Sequence, residues 1–371
     1  MSRKLIWLWI FFSLSTLVAA KPSETDDNAL SNPTRAPTIA AWIQRTRGVA
    51  GPLSVIIAPR ITTYNELSPH SYTIERDGSL TINNPVADAV LVDFARLNGI
   101  KMIPTVSSGW ENGARIYQIL RDPKLRAAHL NAILSVARSS YLDGIDLDYE
   151  NLPPDARQAY SDFVAALASA LHRAGKILSV TVPPKIGADD SCVTCKFADY
   201  AALGAVADRF RVMGYEYRGK TNPPGAIAPI WWLRQLMNYT VTQVPRAKII
   251  LGIHLYGYDW GGRETPALWW NEVMELKEKW SGEIRAAEPD ARGIVGENVM
   301  TYSLPAPSPR CSHRDLECAP TPREKHTIYF VDARYVSAAW EIVNDFRLGG
   351  IVLWRPGGED PAMWDALRNG Y

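Results

Sequence analysis

The stretch "YLDGIDLDYENL", residues 141–152, places acidic side chains inside what otherwise reads as a buried strand. Side chains on a strand alternate between its two faces. Asp146, Asp148 and Glu150 are spaced by two, so all three project from the same face. The intervening residues project from the other face: Ile145, Leu147 and Tyr149. Burying a carboxylate is costly unless it is paired or hydrogen-bonded, so a row of three in a core strand predicts a functional site.

Eight short apolar runs read as strands, with longer helical stretches between most of them: 39–43, 66–74, 101–107, 143–150, 177–183, 209–215, 248–257 and 349–354. The clearest helix is 155–174, which follows Pro153 and Pro154, and a second covers 335–346. One face of the first helix carries apolar residues at helical spacing: Tyr160, Phe163, Val164, Leu167 and Leu171. Eight strands alternating with helices predict an α/β fold of the (β/α)8 TIM-barrel type. An open doubly wound sheet is the alternative, but its glycine-rich phosphate loop does not follow the first strand.

The stretch 258–348, between the seventh and eighth strands, is longer than one helix requires. It contains "YFVDARY" and predicts a small α+β insertion. The catalytic barrel, with this insertion, is expected to cover residues 39–371.

The N-terminus reads as a targeting segment. Arg3 and Lys4 precede an apolar run, and small residues at 18 and 20 suit cleavage after Ala20. Residues 1–20 therefore predict a signal peptide, and the polar, Pro-rich residues 21–38 predict a disordered linker. An uncleaved anchor is the alternative, but the run is short for a membrane span. We expect a secreted protein, in the periplasm or outside the cell, with no membrane contact after signal removal.

Composition and cysteines bound the remaining possibilities. A formal net charge of +1 gives no basic excess of the kind that nucleic-acid binding requires. Four cysteines allow three connectivities, and export favours disulfides over free thiols. Local pairs are the simplest choice, but the connectivity stays open: Cys192 with Cys195, and Cys311 with Cys318. The second spacing is too wide for a four-cysteine zinc site, and no metal is expected.

The three acids at 146, 148 and 150 form an acidic row. This row points into the barrel if the intervening apolar residues of the strand face the surrounding helices. Like charges this close cannot all ionise, so at least one carboxyl pKa should be raised. Glu150 comes last, at the carboxyl end of the strand, where barrel enzymes keep their active sites. A carboxyl with a raised pKa at that position suits a general acid. A metal site is the alternative, but no histidines stand at ligand spacing.

The sequence "DGIDLDYE" (143–150) resembles the DxxDxDxE signature of glycoside hydrolase family 18, the chitinase-like enzymes. Three further stretches resemble strands of that family: "VMGYEY" (212–217), "ILGIHLYGYDW" (250–260) and "GGIVLWRPGGED" (349–360). The resemblance covers about 39–371 and is closest to the bacterial group that includes spore-germination cell-wall hydrolases.

The resemblance implies roles for individual residues. Glu150 would protonate the leaving glycosidic oxygen and later activate water. Asp148 would orient the N-acetyl group of the substrate, and Asp146 would pair with Asp148 and tune its charge. Tyr215 would donate its hydroxyl to the acetamido oxygen, and Trp354 would form the floor beneath the sugar ring. Further candidates for binding the sugar chain are Trp42, Met213, Glu216, Tyr256 and Asp143.

The resemblance therefore implies a secreted glycosidase that cleaves β-1,4 bonds next to N-acetylglucosamine in chitin, chitooligosaccharides or peptidoglycan. The substrate's own N-acetyl oxygen would be the nucleophile, with retention and without a cofactor, and we expect the protein to act as a monomer. One alternative is a non-catalytic lectin on the same fold, although such proteins commonly lose the acid that Glu150 retains. Another is an endo-β-N-acetylglucosaminidase acting on protein-linked glycans. The family usually has Asp where this chain has Glu216, which we expect to change subsite preference or weaken binding.

Overall fold

The structure, a computed structural model, describes residues 36–44, 56–82, 89–188, 192–287, 289, 292–294, 296–304 and 324–369. The predicted signal peptide and the predicted pair of Cys311 and Cys318 lie outside these residues. So does most of the predicted linker, whose last residue, Thr38, already opens the first strand. None of the helices described is long and apolar enough to cross a bilayer.

The strands within the described residues are, in chain order, β1 (Thr38–Ile43), β2 (Glu66–Ile74), β3 (Leu80–Ile82), β4 (Lys101–Met102), β5 (Thr105–Ser107), β6 (Gly144–Asp148), β7 (Ile177–Val182), β8 (Arg209–Met213), β9 (Ile249–His254), β10 (Tyr256–Trp260), β11 (Ala267–Trp269), β12 (Glu283–Ala286), β13 (Asn298–Leu304), β14 (Glu324–Phe330) and β15 (Gly350–Trp354). The α-helices are α1 (Ala89–Leu97), α2 (Gly113–Arg121), α3 (Pro123–Ala137), α4 (Arg157–Arg173), α5 (Tyr200–Val206), α6 (Ile230–Gln243), α7 (Trp270–Trp280), α8 (Ala333–Asp345) and α9 (Met363–Asn369).

The parallel strands close into a barrel, as predicted. Their order is β1-β15-β9-β8-β7-β6-β5-β2, and β1 also pairs with β2, which closes the ring. The third barrel position is shared by β4 and β5, both of which pair with β2. The sequence predicted one strand over 101–107. Pro104 interrupts it because proline has no backbone N–H to donate to the ladder.

A smaller lobe interrupts the barrel between β9 and β15, where the insertion was predicted. Its five strands form a sheet in the order β11-β10-β14-β13-β12, in which every pair is antiparallel. Helix α7 packs on this sheet through a small apolar cluster of its own. The main apolar cluster lies in the barrel and its helices.

The residues between the acids of β6 fill the layer beneath the helices. Ile145, Leu147 and Tyr149 are fully buried. The Tyr149 hydroxyl is hydrogen-bonded to His129 of α3, and its ring lies 6.3 Å from that of Phe163 in α4. The predicted apolar face of α4 is buried throughout. This packing turns Asp146 and Asp148 toward the barrel axis, as predicted.

Candidate active site

A cleft of about 660 Å³ opens at the carboxyl ends of the barrel strands, with the lobe forming part of its wall. Most of the candidates predicted from the sequence line it: Trp42, Asp148, Glu150, Met213, Tyr215, Glu216, Tyr256 and Trp354. Asp146 lies beneath the cleft and is completely buried. The structure therefore brings together residues from strands that are far apart in the chain.

Asp143 is the candidate that the structure places elsewhere. Its Oδ2 accepts a hydrogen bond from the backbone N–H of Met102, at 2.8 Å, just before the start of β6. This end of the strand is opposite to the cleft, and Asp143 is not among the lining residues. Asp143 therefore joins two strands. It breaks the alternation that places the other acids on the inner face.

Asp146 is held by donors from strands on both sides of β6. Its Oδ2 accepts hydrogen bonds from the Trp42 indole at 2.9 Å and from the Thr105 hydroxyl at 3.0 Å. Its Oδ1 accepts from the Ser179 hydroxyl at 2.5 Å. Burial favours the neutral acid, but the Arg211 guanidinium and these hydrogen bonds outweigh it and hold the pKa of Asp146 below its ordinary value.

The pKa of Asp148 is shifted in the opposite direction from that of Asp146, although the two residues are only two positions apart on the same strand. Burial, followed by the charges of Glu150 and Asp146, raises its pKa well above the ordinary range. Burial and the two neighbouring charges therefore favour the protonated form of Asp148, and its buried Oδ1 has no hydrogen-bond donor among the described residues.

Glu150 follows the end of β6 and faces the cleft. Burial and the neighbouring charge of Glu216 raise its pKa to about 7. Its backbone N–H donates to the Ser108 hydroxyl at 2.9 Å. The chain then turns at Asn151, which has a φ of 53°, and a Cβ at Gly113 would lie 1.9 Å from the Asn151 oxygen. Close packing of this turn on the start of α2 fixes the backbone that carries Glu150.

Aromatic rings from the first and last barrel strands form the floor of the cleft. Trp354, at the end of β15, meets Trp42 edge to face, with ring centroids 6.3 Å apart. His70 lies 5.0 Å from the Trp354 ring, and burial lowers the pKa of His70 to about 4. The two tryptophan rings therefore offer an apolar surface that suits the face of a sugar ring, and burial keeps the neighbouring His70 neutral near pH 7.

Glu216 is held against the lobe wall. Its Oε1 accepts hydrogen bonds from the Tyr256 hydroxyl at 2.5 Å and from the Tyr258 hydroxyl at 2.6 Å. Its backbone adopts a positive φ of 67°. The carboxylate that departs from the family pattern is thus fixed by two tyrosines of β10.

Several residues of the site were not predicted. Arg211 is a fully buried cation on β8, and its charge within an apolar strand is a signal that could have identified it. Tyr258, Lys220, Glu272 and Arg355 line the cleft. They lie in the lobe or in loops whose positions depend on long-range pairing. Trp269 also lines the cleft, and the sequence does offer it as one of several tryptophans that could line a saccharide cleft; the Arg355 guanidinium lies 5.1 Å from the centre of its ring.

Similarity to known proteins agrees with this geometry. Residues 60–359 match the family described as "Glycosyl hydrolases family 18". The chain is 28% identical over 315 residues to the cortical fragment-lytic enzyme of Bacillus subtilis (strain 168), covering 82% of this chain and 67% of that protein. It matches a chitinase structure from Chromobacterium violaceum ATCC 12472 with a TM-score of 0.76 at 27% identity, covering 90% and 99% of the two chains. The spore cortex-lytic enzyme SleL of Bacillus cereus has the same fold, with a TM-score of 0.76 at 23% identity over 92% and 75% of the chains.

Proposed function

The chain belongs to glycosyl hydrolase family 18 and is a glycosidase, and from that premise we propose that it cleaves β-1,4 bonds beside N-acetylglucosamine in chitin-like or peptidoglycan polysaccharides. We propose further that the substrate's N-acetyl oxygen is the nucleophile. The observation that carries the proposal is that one cleft holds both Glu150, whose pKa is about 7, and Asp148, whose pKa burial raises well above its ordinary value.

Glu150 suits the role of general acid because about half of it is protonated near pH 7. It lies at the open end of the acidic row, where the leaving glycosidic oxygen can reach it. After the first step it is a carboxylate and can take a proton from water. One residue thus serves as acid and then as base.

The two other carboxylates of the cleft, Glu216 and Glu272, accept hydrogen bonds from the cleft wall. These bonds argue against either residue as the nucleophile. Glu216 Oε1 accepts two tyrosine hydroxyls, and Glu272 Oε2 accepts the backbone N–H of Trp269 at 2.7 Å. Hydrogen bonds of this kind lower the nucleophilicity of a carboxylate. An acetamido oxygen of the substrate is then the best-placed nucleophile.

The reaction proceeds in two steps. Glu150 gives its proton to the glycosidic oxygen while the acetamido oxygen attacks the anomeric carbon and the glycosidic bond breaks. Asp148 accepts the acetamido N–H as positive charge develops there, and Tyr215 donates its hydroxyl to the acetamido oxygen. Water, losing a proton to Glu150, then opens the cyclic intermediate, so the product keeps the starting anomeric configuration.

Chitin oligomers, fully deacetylated oligomers and purified peptidoglycan, digested side by side, test this proposal. Mass spectrometry identifies the products, and proton NMR identifies the first-formed anomer. We expect retention, cleavage of acetylated substrates and no cleavage of deacetylated ones. Inversion, or equal rates on both oligomers, would reject the mechanism and make Glu216 the candidate nucleophile. Binding without cleavage would indicate a lectin, and release of glycans from glycoproteins would indicate an endoglycosidase.

We also propose that the enzyme acts outside the cytoplasm, because residues 1–20 read as a signal peptide. The Cys192–Cys195 disulfide supports this, since such bonds persist in oxidising compartments. Fractionation of expressing cells, with N-terminal sequencing of the exported protein, tests it. A protein that stays in the cytoplasm with Met1 intact would contradict it.

A further inference from the structure

A row of buried charges crosses the inside of the barrel beneath the cleft. Arg209 lies 2.8 Å from Glu66 Oε1, and Arg211 lies 3.3 Å from Glu66 Oε2. On its other side, Arg211 Nη1 lies 3.3 Å from Asp146 Oδ2. Arg211 and Asp146 are completely buried, and Glu66 is 1% exposed. Removing so many charges from water is costly. The cost is offset because each carboxylate in the row lies within 3.3 Å of a guanidinium.

Arg211 reaches Asp146 because strand alternation aims it inward. Its neighbour Phe210 points the other way and packs edge to face on Tyr200 of α5, with centroids 4.9 Å apart. Inside the barrel, the Arg211 guanidinium donates to the Ser68 hydroxyl at 2.6 Å and lies 5.8 Å from the Trp42 ring. These contacts hold the guanidinium in place below the acidic row.

The neighbours of Asp146 act mostly as donors. The indole and the guanidinium can only donate, and three hydroxyls fill the remaining acceptor positions of the carboxylate: Thr105, Ser179 and Thr181. A proton on Oδ2 would meet the indole N–H and the guanidinium, which cannot accept it, whereas a proton on Oδ1 would meet two hydroxyls, which can. The contact with the guanidinium therefore favours the carboxylate form of Asp146, and Arg211 supplies its countercharge.

Other titratable groups also face this acid. Those that interact electrostatically with Asp146 or with Arg211 are His70 on β2, Asp148 on β6, Tyr160 on α4, Tyr215 after β8 and Glu66 on β2. Burial keeps His70 neutral and the two tyrosines protonated near pH 7. Arg211 is thus the cation that balances Asp146, while Glu66 is shared with Arg209.

We propose that Arg211 is a positioning residue that fixes Asp146 as a carboxylate and so confines the mobile proton of the acidic row to Asp148 and Glu150. The proposal rests on the proposed function, in which those two residues touch the substrate. Without the guanidinium, the proton would move down to Asp146, and Asp148 would become the anion. A charged Asp148 beside Glu150 would raise the pKa of the general acid, because like charges disfavour ionisation.

The pH dependence of kcat/KM on a chitin oligomer tests this with three variants. Arg211→Gln should move the alkaline limb upward by about one pH unit, since removing a nearby cation raises carboxyl pKa values. Arg211→Lys keeps the charge and should restore the wild-type limb. Arg209→Gln is the matched control, because it removes a cation from Glu66 without touching Asp146, and it should leave the limb unchanged. A limb that stays in place in Arg211→Gln, or that shifts equally in Arg209→Gln, overturns the proposal.

Carbon NMR of aspartate Cγ in the wild-type protein tests it without turnover and without relying on an Arg211→Gln variant that folds. The resonance of Asp146, assigned by its loss in Asp146→Asn, should keep a carboxylate shift between about pH 4 and pH 9. The resonance of Asp148 should titrate at a higher pH than that of Asp146, because burial raises the pKa of Asp148 while Arg211 lowers that of Asp146. Titration of Asp146 together with Asp148 overturns the proposal. The NMR result does not depend on the substrate. If the protein cleaves none of the oligomers, the proposed function is rejected, and the NMR titration still tests the role of Arg211.

Discussion

Glu150 combines a partly buried carboxyl with an open path to the cleft. Replacing it with Gln keeps the shape of the side chain and removes the transferable proton. We expect Glu150→Gln to lower kcat by a factor of about 10²–10⁴ with little change in oligomer binding, since that is the usual contribution of a general acid. Initial rates and calorimetric binding measure the two effects. Glu283→Gln, on exposed β12, is the control, and near-normal turnover in Glu150→Gln would remove Glu150 from its assigned role.

The pH dependence of the rate follows from the same residue. Burial and Glu216 raise the pKa of Glu150 to about 7, and the acid form is the active one in the first step. We therefore expect kcat/KM to fall about tenfold per pH unit above about pH 7. Glu216→Gln removes the like charge and should move this fall to lower pH. A fall that stays at the wild-type pH would show that Glu216 does not act on Glu150 through its charge.

At the residue scale, strand alternation predicted which acids share a face but could not predict their charges. Alternation is local, so Asp146 and Asp148 could be assigned to the interior from sequence alone. The pKa of Asp146 is lowered by Arg211, which lies 65 positions away in the numbering of the chain, whereas burial and the charges of Glu150 and Asp146 raise that of Asp148. Asp143 is named among the substrate-binding candidates, but it lies off the parity of the acidic row and before the strand, where an acid can bind backbone groups, and its hydrogen bond from the Met102 N–H is of that kind.

At the scale of elements, Glu297 fastens a wall of the cleft. It precedes β13 in the lobe and is almost completely buried. Its carboxylate accepts the backbone N–H groups of Ile227 at 3.0 Å and Ala228 at 2.6 Å. Ile227 in turn accepts the N–H of Tyr217 at 2.8 Å. Glu297 therefore supports the loop in which Glu216 meets the lobe.

Glu297→Gln should loosen this loop, because an amide NH₂ cannot accept from the two backbone N–H groups that one carboxylate now satisfies. We expect a loss of about 1–3 kcal/mol in the free energy of unfolding and an increase in KM. Denaturant titration and kinetics on one oligomer measure both. Glu324→Gln, exposed on β14, is the control. Unchanged stability together with unchanged KM would show that the loop holds its position without Glu297.

The predicted Cys192–Cys195 pair is present, with Cα atoms 5.4 Å apart, while the connectivity of Cys311 and Cys318 stays a prediction. A bridge across so short a loop restricts the unfolded chain only slightly. Replacing both cysteines of the first pair with Ser should lower the free energy of unfolding by about 2 kcal/mol or less. Urea denaturation measures the loss. A collapse of the fold would mean that the bridge does more than close a loop.

At the scale of the whole molecule, the sequence predicted the topology of the barrel. For the lobe it predicted only the position in the chain and the α+β class, and not the strand pairing. Barrel strands pair in chain order, apart from the closure of β1 on β15, so eight apolar runs were enough to predict the topology. The lobe pairs β10 with β14, and Tyr258 meets Tyr329 across that pair. Such non-local antiparallel pairing leaves no periodic signal in the sequence, so Tyr258 could not be placed in the cleft wall, and Trp269 could be named only as one of several tryptophans that could line a saccharide cleft.

Trp269 tests how much the lobe contributes to binding a sugar chain. It lines the cleft on the side of β11, and Arg355 lies above its ring. Trp269→Ala should raise KM on long oligomers about tenfold, the effect of losing roughly 1.4 kcal/mol of aromatic contact. Short oligomers that do not reach the lobe should be affected less. Trp231→Ala, exposed and outside the cleft, is the control, and equal effects on all lengths would place Trp269 next to the scissile bond instead.

The floor of the cleft joins Trp42, on the first strand, to Trp354, on the last. A ribosome making this chain must therefore complete nearly the whole barrel before the two rings can meet and before Trp42 can reach Asp146. Nascent or truncated chains that lack β15 would carry the acidic row without its floor. We therefore expect a chain that ends before β15 to lack hydrolytic activity, because its acidic row would have no complete floor for a sugar ring.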